Sequence, residues 1–411
     1  MGEGYRDSLN ILSETMPMDR FKFETGKKIF DWEVPKEWVI RDAYLVDPNG
    51  NKIAEFKKNN LHLMGYSRPY FGRMKLDNLK KHLYSIPEKP TAIPYVTSYY
   101  HENWGFCMAH DQLAALTDGE YEVFIDSEFV NGYLEIGEAV LNGATDREVL
   151  FSTYLCHPSM ANHELGGPIL MVHLYEMLSK LEKRRFTYRF LICPETIGSL
   201  SYLSLRGEHL KQKLDAGYVI TCVGDSGSLT YKSSRRGSSL GDRAAKIVLR
   251  ELDKYTLEPF IPFGSDERQF CSPGFNLPMG SLMRTMYGKF PEYHNSLDDK
   301  NFIRFSSVID TLKYYKKIVD VIEANFYPIS KCPFGEPQLG KRGLYDQVSG
   351  ASDKKVDTET LMWILNLSDG QHDLIDIAEK SKKSIDLVIE IANKAEYFGL
   401  VEKSLVGRNE S

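Results

Sequence analysis

After residue 145 the sequence repeats one pattern four times: a short apolar string and then a longer amphipathic one. EVLFSTYLCHP precedes GGPILMVHLYEMLSKLEKR, FTYRFLICPETIG precedes SLSYLSLRGEHLKQKL, and GYVITCVGDSG precedes DRAAKIVLRELDKY. LPMGSLMRT then precedes the long NFIRFSSVIDTLKYYKKIVDVIEANF. Strands buried on both faces read as continuous apolar runs, and helices of this length between them join parallel neighbours. The alternation predicts an α/β fold with a mainly parallel sheet flanked by helices. Ligands of such sheets sit beyond the carboxyl ends of the strands, so those four ends are where chemistry should be sought.

The flanking segments read differently. Residues 4–18 place Leu9, Ile11, Leu12 and Met16 at helical spacing. Then the period falls to two, with Trp38, Ile40, Ala43, Leu45 and Val46 leading into the turn DPNGN and on to Ile53 and Phe56, a hairpin pattern. The text stays β-like to about residue 140 and includes the aromatic cluster Tyr99, Tyr100, Trp104 and Phe106. Residues 328–356 are rich in Pro, Gly and Ser without periodicity and read as a linker. The tail has three helical segments and a final GLVEK, the order of a small winged-helix module. Between Asp357 and Lys403 it carries ten acidic and five basic residues and no Arg. Duplex binding depends on cations neutralising phosphates, so this module is expected to pack or to mediate assembly rather than to read DNA.

The 411 residues suggest two or three domains at roughly 150 residues each. The net charge of −6 offers little to a nucleic acid. No basic leader and no apolar run of about 18 residues is present, so a soluble, cytoplasmic protein without membrane association is expected. Six cysteines lie far apart without CxxC spacing and read as buried free thiols.

Each predicted strand ends in a residue that can bind metal or move a proton: His157 in LCHPS, Glu195 in CPETIGS, Asp225 in VGDSG, and His294 in PEYHNSLDD after the fourth. They lie 38, 30 and 69 residues apart, so only a parallel sheet unites them. Two His with two carboxylates suit a zinc that keeps a position for water. Bland roles stay open: a lone His after a strand is commonly a hydrogen-bonded surface residue, Asp225 could cap a turn, and His294 could cap a helix.

FDWEVPKEWVIRDAYL, STYLCHPSMANHELGGP, CPETIGS, VGDSG, SSRRGSSLGDRA, FGSDERQFCSPGFNLPMGSLMRT and YHNSLDD together resemble the aminopeptidase-like family of zinc peptidases in the zinc exopeptidase superfamily. The similarity is to the branch with an inserted β domain, often named beside polysaccharide-biosynthesis functions. It implies a zinc aminopeptidase-like α/β domain over residues 1–35 and 130–330, an inserted β-rich domain over 36–129, a linker over 331–356 and the winged-helix-like module over 357–411. It also implies zinc ligands at His157, Asp225 and His294, with Glu195 as general base or ligand. Relatives with two metals bridge them with an Asp where this chain has Asn162, His163 and Glu164. A neutral amide is a poor bridge, so one zinc is expected, with these three as candidates for ligation or for support. Asp266, Glu267 and Arg268 in FGSDERQF match a substrate-binding loop. Arg235 and Arg236 are candidates for holding a substrate carboxylate or phosphate. The expected activity is hydrolysis of a peptide or amino-sugar amide, with homo-oligomers open. The alternative is a catalytically weak metal-binding scaffold in glycan assembly.

Overall fold

The structure, a computed structural model, describes residues 1–99, 101–342, 344 and 357–407. Tyr100 and half of the expected linker, residues 343 and 345–356, lie outside the described residues. In chain order the elements that matter are α1 (Glu3–Ser13), β1 (Asp19–Glu24), β2 (Glu37–Val46), β3 (Lys52–Ile53), β4 (Tyr70–Lys75), β5 (Glu120–Val130) and β6 (Tyr133–Leu141). There follow β7 (Glu148–Tyr154), α2 (Gly166–Ser179), β8 (Thr187–Cys193), α3 (Ile197–Lys213), β9 (Leu214–Val219), β10 (Leu229–Lys232), α4 (Leu240–Leu249), β11 (Tyr255–Glu258), α5 (Glu267–Phe270), β12 (Met279–Met283) and α6 (Phe305–Ala324). The C-terminal part contains β13 (Tyr327–Ser330), α7 (Thr358–Asn366), α8 (Leu374–Ser381), α9 (Ile385–Tyr397) and β14 (Val401–Ser404).

The central sheet has eight strands in the order β1-β6-β8-β7-β9-β12-β10-β11. Its middle four, β8, β7, β9 and β12, are parallel. They are the four strands predicted from the apolar runs. Alternation along β7 shows why the runs are continuous: Val149 and Phe151 enter one apolar core, Leu150 and Tyr154 the other. Both cores are covered by helices, so neither face of these strands needs a polar side chain.

The sheet edges depart from the sequence reading. YEVFIDSEFVNGYLEIGEAVLNG reads as one antiparallel sheet, but its two strands part company. β5 pairs with β2 and β4 in a separate four-stranded sheet, while β6 pairs with β1 and β8 in the central one. β10 runs antiparallel to β12, and β11 parallel to β10. The last two strands therefore point the opposite way from the central four.

The four-stranded sheet has its own core around Leu45, Phe106, Val123 and Ile125. A strap from this region reaches back to the central domain. Pro94 bridges Asn295, Tyr95 N donates to His294 O at 3.0 Å, and Ile93 N donates to Ser296 Oγ at 2.9 Å. At the far end, β14 pairs antiparallel with β13, and Leu361, Ile364, Leu374 and Val388 join the same apolar core as the central helices. Arg243 of α4 donates to Asp373 and Asp376 of this module. The module is thus docked on the main domain.

Candidate active site

The carboxyl ends of the parallel strands carry the densest group of chemical side chains. Past β7, Leu155 and Cys156 lead to His157. A π-helical turn, Ala161–Leu165, then carries Asn162, His163 and Glu164 into the interior before α2 begins. Such five-residue turns recur at functional sites because the wider ring re-aims side chains. His294 sits in the loop after β12 with a left-handed backbone, φ 57°, held by the strap through Tyr95 N.

These three imidazoles converge. Ring centroids are 4.5 Å apart for His157 and His163, 4.8 Å for His163 and His294, and 5.1 Å for His157 and His294. His157 Nδ1 lies 2.9 Å from Glu164 Oε2 and His163 Nδ1 lies 3.2 Å from Tyr154 Oη. Both rings therefore have Nε2 left for a ligand. His163 Nε2 and His294 Nε2 are 3.2 Å apart. Two imidazoles on a tetrahedral zinc at about 2.0–2.1 Å would have their nitrogens about 3.3 Å apart, so this pair is already spaced for one ion. Glu195 Oε2 stands 3.7 Å from His157 Nε2, beside the group.

The surroundings keep the cluster fixed. Glu164 also accepts the Cys156 N–H, completing the carboxylate–imidazole pairing that orients a metal-binding His. Asp298, fully buried, accepts Asn162 N at 2.6 Å and His163 N at 2.9 Å. Burial, aided by the other two rings, holds His163 well below the ordinary imidazole value, and burial with His157 alone brings His294 down to about 3. Both are neutral, the form a metal needs. For His157, burial also disfavours the cation, but Cys156 and Glu164 outweigh it and the value rises. Burial lifts Glu195 above the usual carboxylate range, opposed by His157 and Arg268.

Not every residue expected here belongs to the group. Asp225 is 2% exposed and committed elsewhere. Its Oδ1 accepts Gly227 N and Thr285 Oγ, each at 2.7 Å, and its Oδ2 accepts Asn162 Nδ2 at 3.0 Å. Expected among the ligands, Asp225 is not part of the group of donor atoms that closes up here, in which His163 stands with His157 and His294. Asn162 and Glu164 support rather than face the cluster. Asp266 and Glu267 are 1% and 0% exposed and turn inward. Asp266 accepts Thr196 N and Ser199 Oγ, and Glu267 pairs with the fully buried Lys232. Of these three only Arg268 is partly exposed, and it donates to Thr196 Oγ1 next to Glu195. Arg235 and Arg236 follow the reversed strand β10 and emerge at the opposite end of the sheet, where Arg236 Nε donates to Asn276 O before β12. Their expected substrate role at this site is corrected by that strand direction.

Sequence reasoning also left residues unassigned. Asp298 stands in YHNSLDD but had no role, and Tyr154 reads as an ordinary strand residue. Tyr95 lies against His157 and His294 with centroids 5.2 and 5.3 Å away, and its hydroxyl is 3.1 Å from that of Tyr99. Tyr293 stacks on His294 at 3.9 Å. No periodicity marks these aromatic walls. Four of the six cysteines are buried as expected, while Cys156 and Cys332 are half-buried, and none is bridged.

An α/β sheet with a histidine-rich group at its carboxyl edge and a docked winged-helix module defines an aminopeptidase-like protein. The chain belongs to the family described as a domain of unknown function, DUF4910, whose model matches residues 1–325. Residues 327–403 match a winged helix-turn-helix family. The chain is 45% identical over 381 residues, 92% of its length and 87% of the relative's, to a Clostridium acetobutylicum protein provisionally named a polysaccharide biosynthesis protein with aminopeptidase-like domain. A crystal structure of a provisionally named peptidase from the same organism aligns with TM-score 0.91 and 41% identity over 98% of this chain and 92% of that one. The zinc aminopeptidase BSAP of Bacillus subtilis shares the fold at TM-score 0.56 and 12% identity, over 77% of this chain and 89% of that one.

Proposed function

We propose that this protein is a zinc-dependent amide hydrolase with one metal, held by His157, His163 and His294, and with Glu195 as its general base. The observation that carries this reading is the convergence of three imidazoles, two of them neutral and two aimed by fixed partners, beside a partly exposed glutamate. Three His donors and an open side match catalytic rather than structural zinc. Bound there, zinc supplies a Lewis acid for the amide carbonyl and lowers the pKa of water.

Glu195 accepts a proton as water attacks the carbonyl carbon. It returns that proton to the amine nitrogen as the C–N bond breaks, leaving a carboxylic acid and an amine. Tyr95 and Tyr99 of the strap wall the approach and limit substrate size. The provisional name of the Clostridium relative supports a glycan-assembly setting, with an amino-sugar amide or a peptide as substrate. The test is Glu195→Gln: zinc content should be unchanged while amide turnover falls at least a hundredfold, the upper part of what one acid–base group contributes being about 10⁴. Turnover within threefold of wild type would remove Glu195 from the base role.

A further inference from the structure

Beside Glu195, Arg268 leaves most of its hydrogen-bonding capacity unused among the described residues, and the chemistry of the substrate follows from it. Arg268 is half-buried at the start of the short helix α5. A guanidinium has five N–H donors. Arg268 spends one on Thr196 Oγ1 at 3.1 Å and makes no ion pair with a described carboxylate. Thr196 follows Glu195 in the chain, so this contact holds Arg268 close to the base, and its charge acts on Glu195 and on Tyr293.

Five carboxylates around the cluster are closed off. Glu164, Asp225, Asp266, Glu267 and Asp298 are all 3% exposed or less. Glu164 is bound to His157, Asp225 to Asn162 and Thr285, Glu267 to Lys232 and Tyr287, and Asp298 to the turn at His163. Glu195 is occupied with the proton transfer. These five carboxylates are therefore taken, and a free α-amine brought up beside Glu195 meets the Arg268 guanidinium, an unfavourable partner for an ammonium.

We propose that Arg268 binds the carboxylate of the substrate's amine half, so that the substrates are N-acyl α-amino acids, including the C-terminal residue of a peptide. This deepens the hydrolase reading and rests on it. Glu195 hands its proton to the leaving nitrogen, so the amine half lies on the Glu195 side of the site. In an α-amino acid the carboxylate is one carbon from that nitrogen, on the side where Arg268 stands beside Glu195. A planar guanidinium with paired free donors matches a carboxylate in bidentate fashion. The rings of Tyr95 and Tyr99 offer an apolar surface to the rest of the molecule.

The test is calorimetric binding to the zinc-loaded full chain of N-acetyl-L-phenylalanine, its carboxamide and L-phenylalaninamide, repeated with Arg268→Gln and Arg268→Lys. N-acetyl-L-phenylalanine should bind at least tenfold tighter than its carboxamide. Arg268→Gln should erase that difference at unchanged zinc content, and Arg268→Lys should restore part of it. Tighter binding of L-phenylalaninamide, no binding of N-acetyl-L-phenylalanine, or a carboxylate preference that survives in Arg268→Gln would each overturn the proposal. Release of phenylalanine is measured in parallel. Carboxylate preference without turnover would leave this inference standing and sink the hydrolase reading, whereas turnover of a free-amine anilide without carboxylate preference would do the reverse.

Discussion

Asp298→Asn is the substitution that most directly probes how the cluster is held. The Asp298 carboxylate is fully buried and receives two short backbone N–H bonds, from Asn162 and His163, at the start of the π-helical turn. Asparagine has one carbonyl oxygen, so it can keep one of these bonds, and its NH2 group then faces the other N–H. Hydrogen bonds to a charged acceptor contribute about 1.5–3 kcal/mol, and a buried donor left unmatched costs about 1–3 kcal/mol. A loss of about 2–3 kcal/mol follows, concentrated on the turn that aims His163. Disturbing the groups that orient a ligand lowers metal affinity by about 10–100-fold. The assay is zinc competition against a chromophoric chelator, with urea unfolding of the metal-free protein alongside. Zinc affinity within threefold of wild type, in a protein with an unchanged urea midpoint, would refute the idea that Asp298 holds His163 in place.

Two further outcomes are expected. Asp266 is pushed up to about 8, first by burial and then by Glu195. Between the ordinary carboxylate range and that value the folded protein holds a proton that the unfolded chain has lost, so Asp266 makes stability fall as pH rises from about 4 to 8. Asp266→Asn should flatten that decline in melting temperatures taken at pH 5 and 8, and an unchanged slope would contradict the assignment. Arg243 joins the winged-helix module through Asp373, which is 1% exposed. Removing one partner of a buried ion pair costs about 3–5 kcal/mol, so Arg243→Met should raise hydrogen exchange in α8 while leaving the central strands protected. Unaltered exchange in α8 would mean that the apolar contacts alone dock the module.

The four central strands were legible in the sequence because each is buried on both faces and reads as an unbroken apolar run. Their carboxyl ends followed from that, and with them His157, Glu195 and His294. The edge strands were not legible for a physical reason. A two-faced strand such as β5 or β6 has the same alternation whichever sheet it joins, and only the break at 131–132 separates them. The direction of β10 is likewise invisible to composition, and that direction is what carries Arg235 and Arg236 away from the site. Asp225 had the right residue type at the right distance past a strand, but its hydrogen bonds to Asn162 and Thr285 are set by tertiary packing. His163 stood in view within ANHELGG. All three of its polar residues are buried, and which of them meets the other two imidazoles depends on the π-helical winding, which a helical period of 3.6 does not give.

The most direct measurement is zinc stoichiometry by elemental mass spectrometry on the full chain, with His163→Ala and Asp225→Asn beside wild type. About one equivalent in wild type and in Asp225→Asn, with at least a tenfold loss in His163→Ala, is the expected result. Zinc retained by His163→Ala and lost by Asp225→Asn would contradict the three-histidine site.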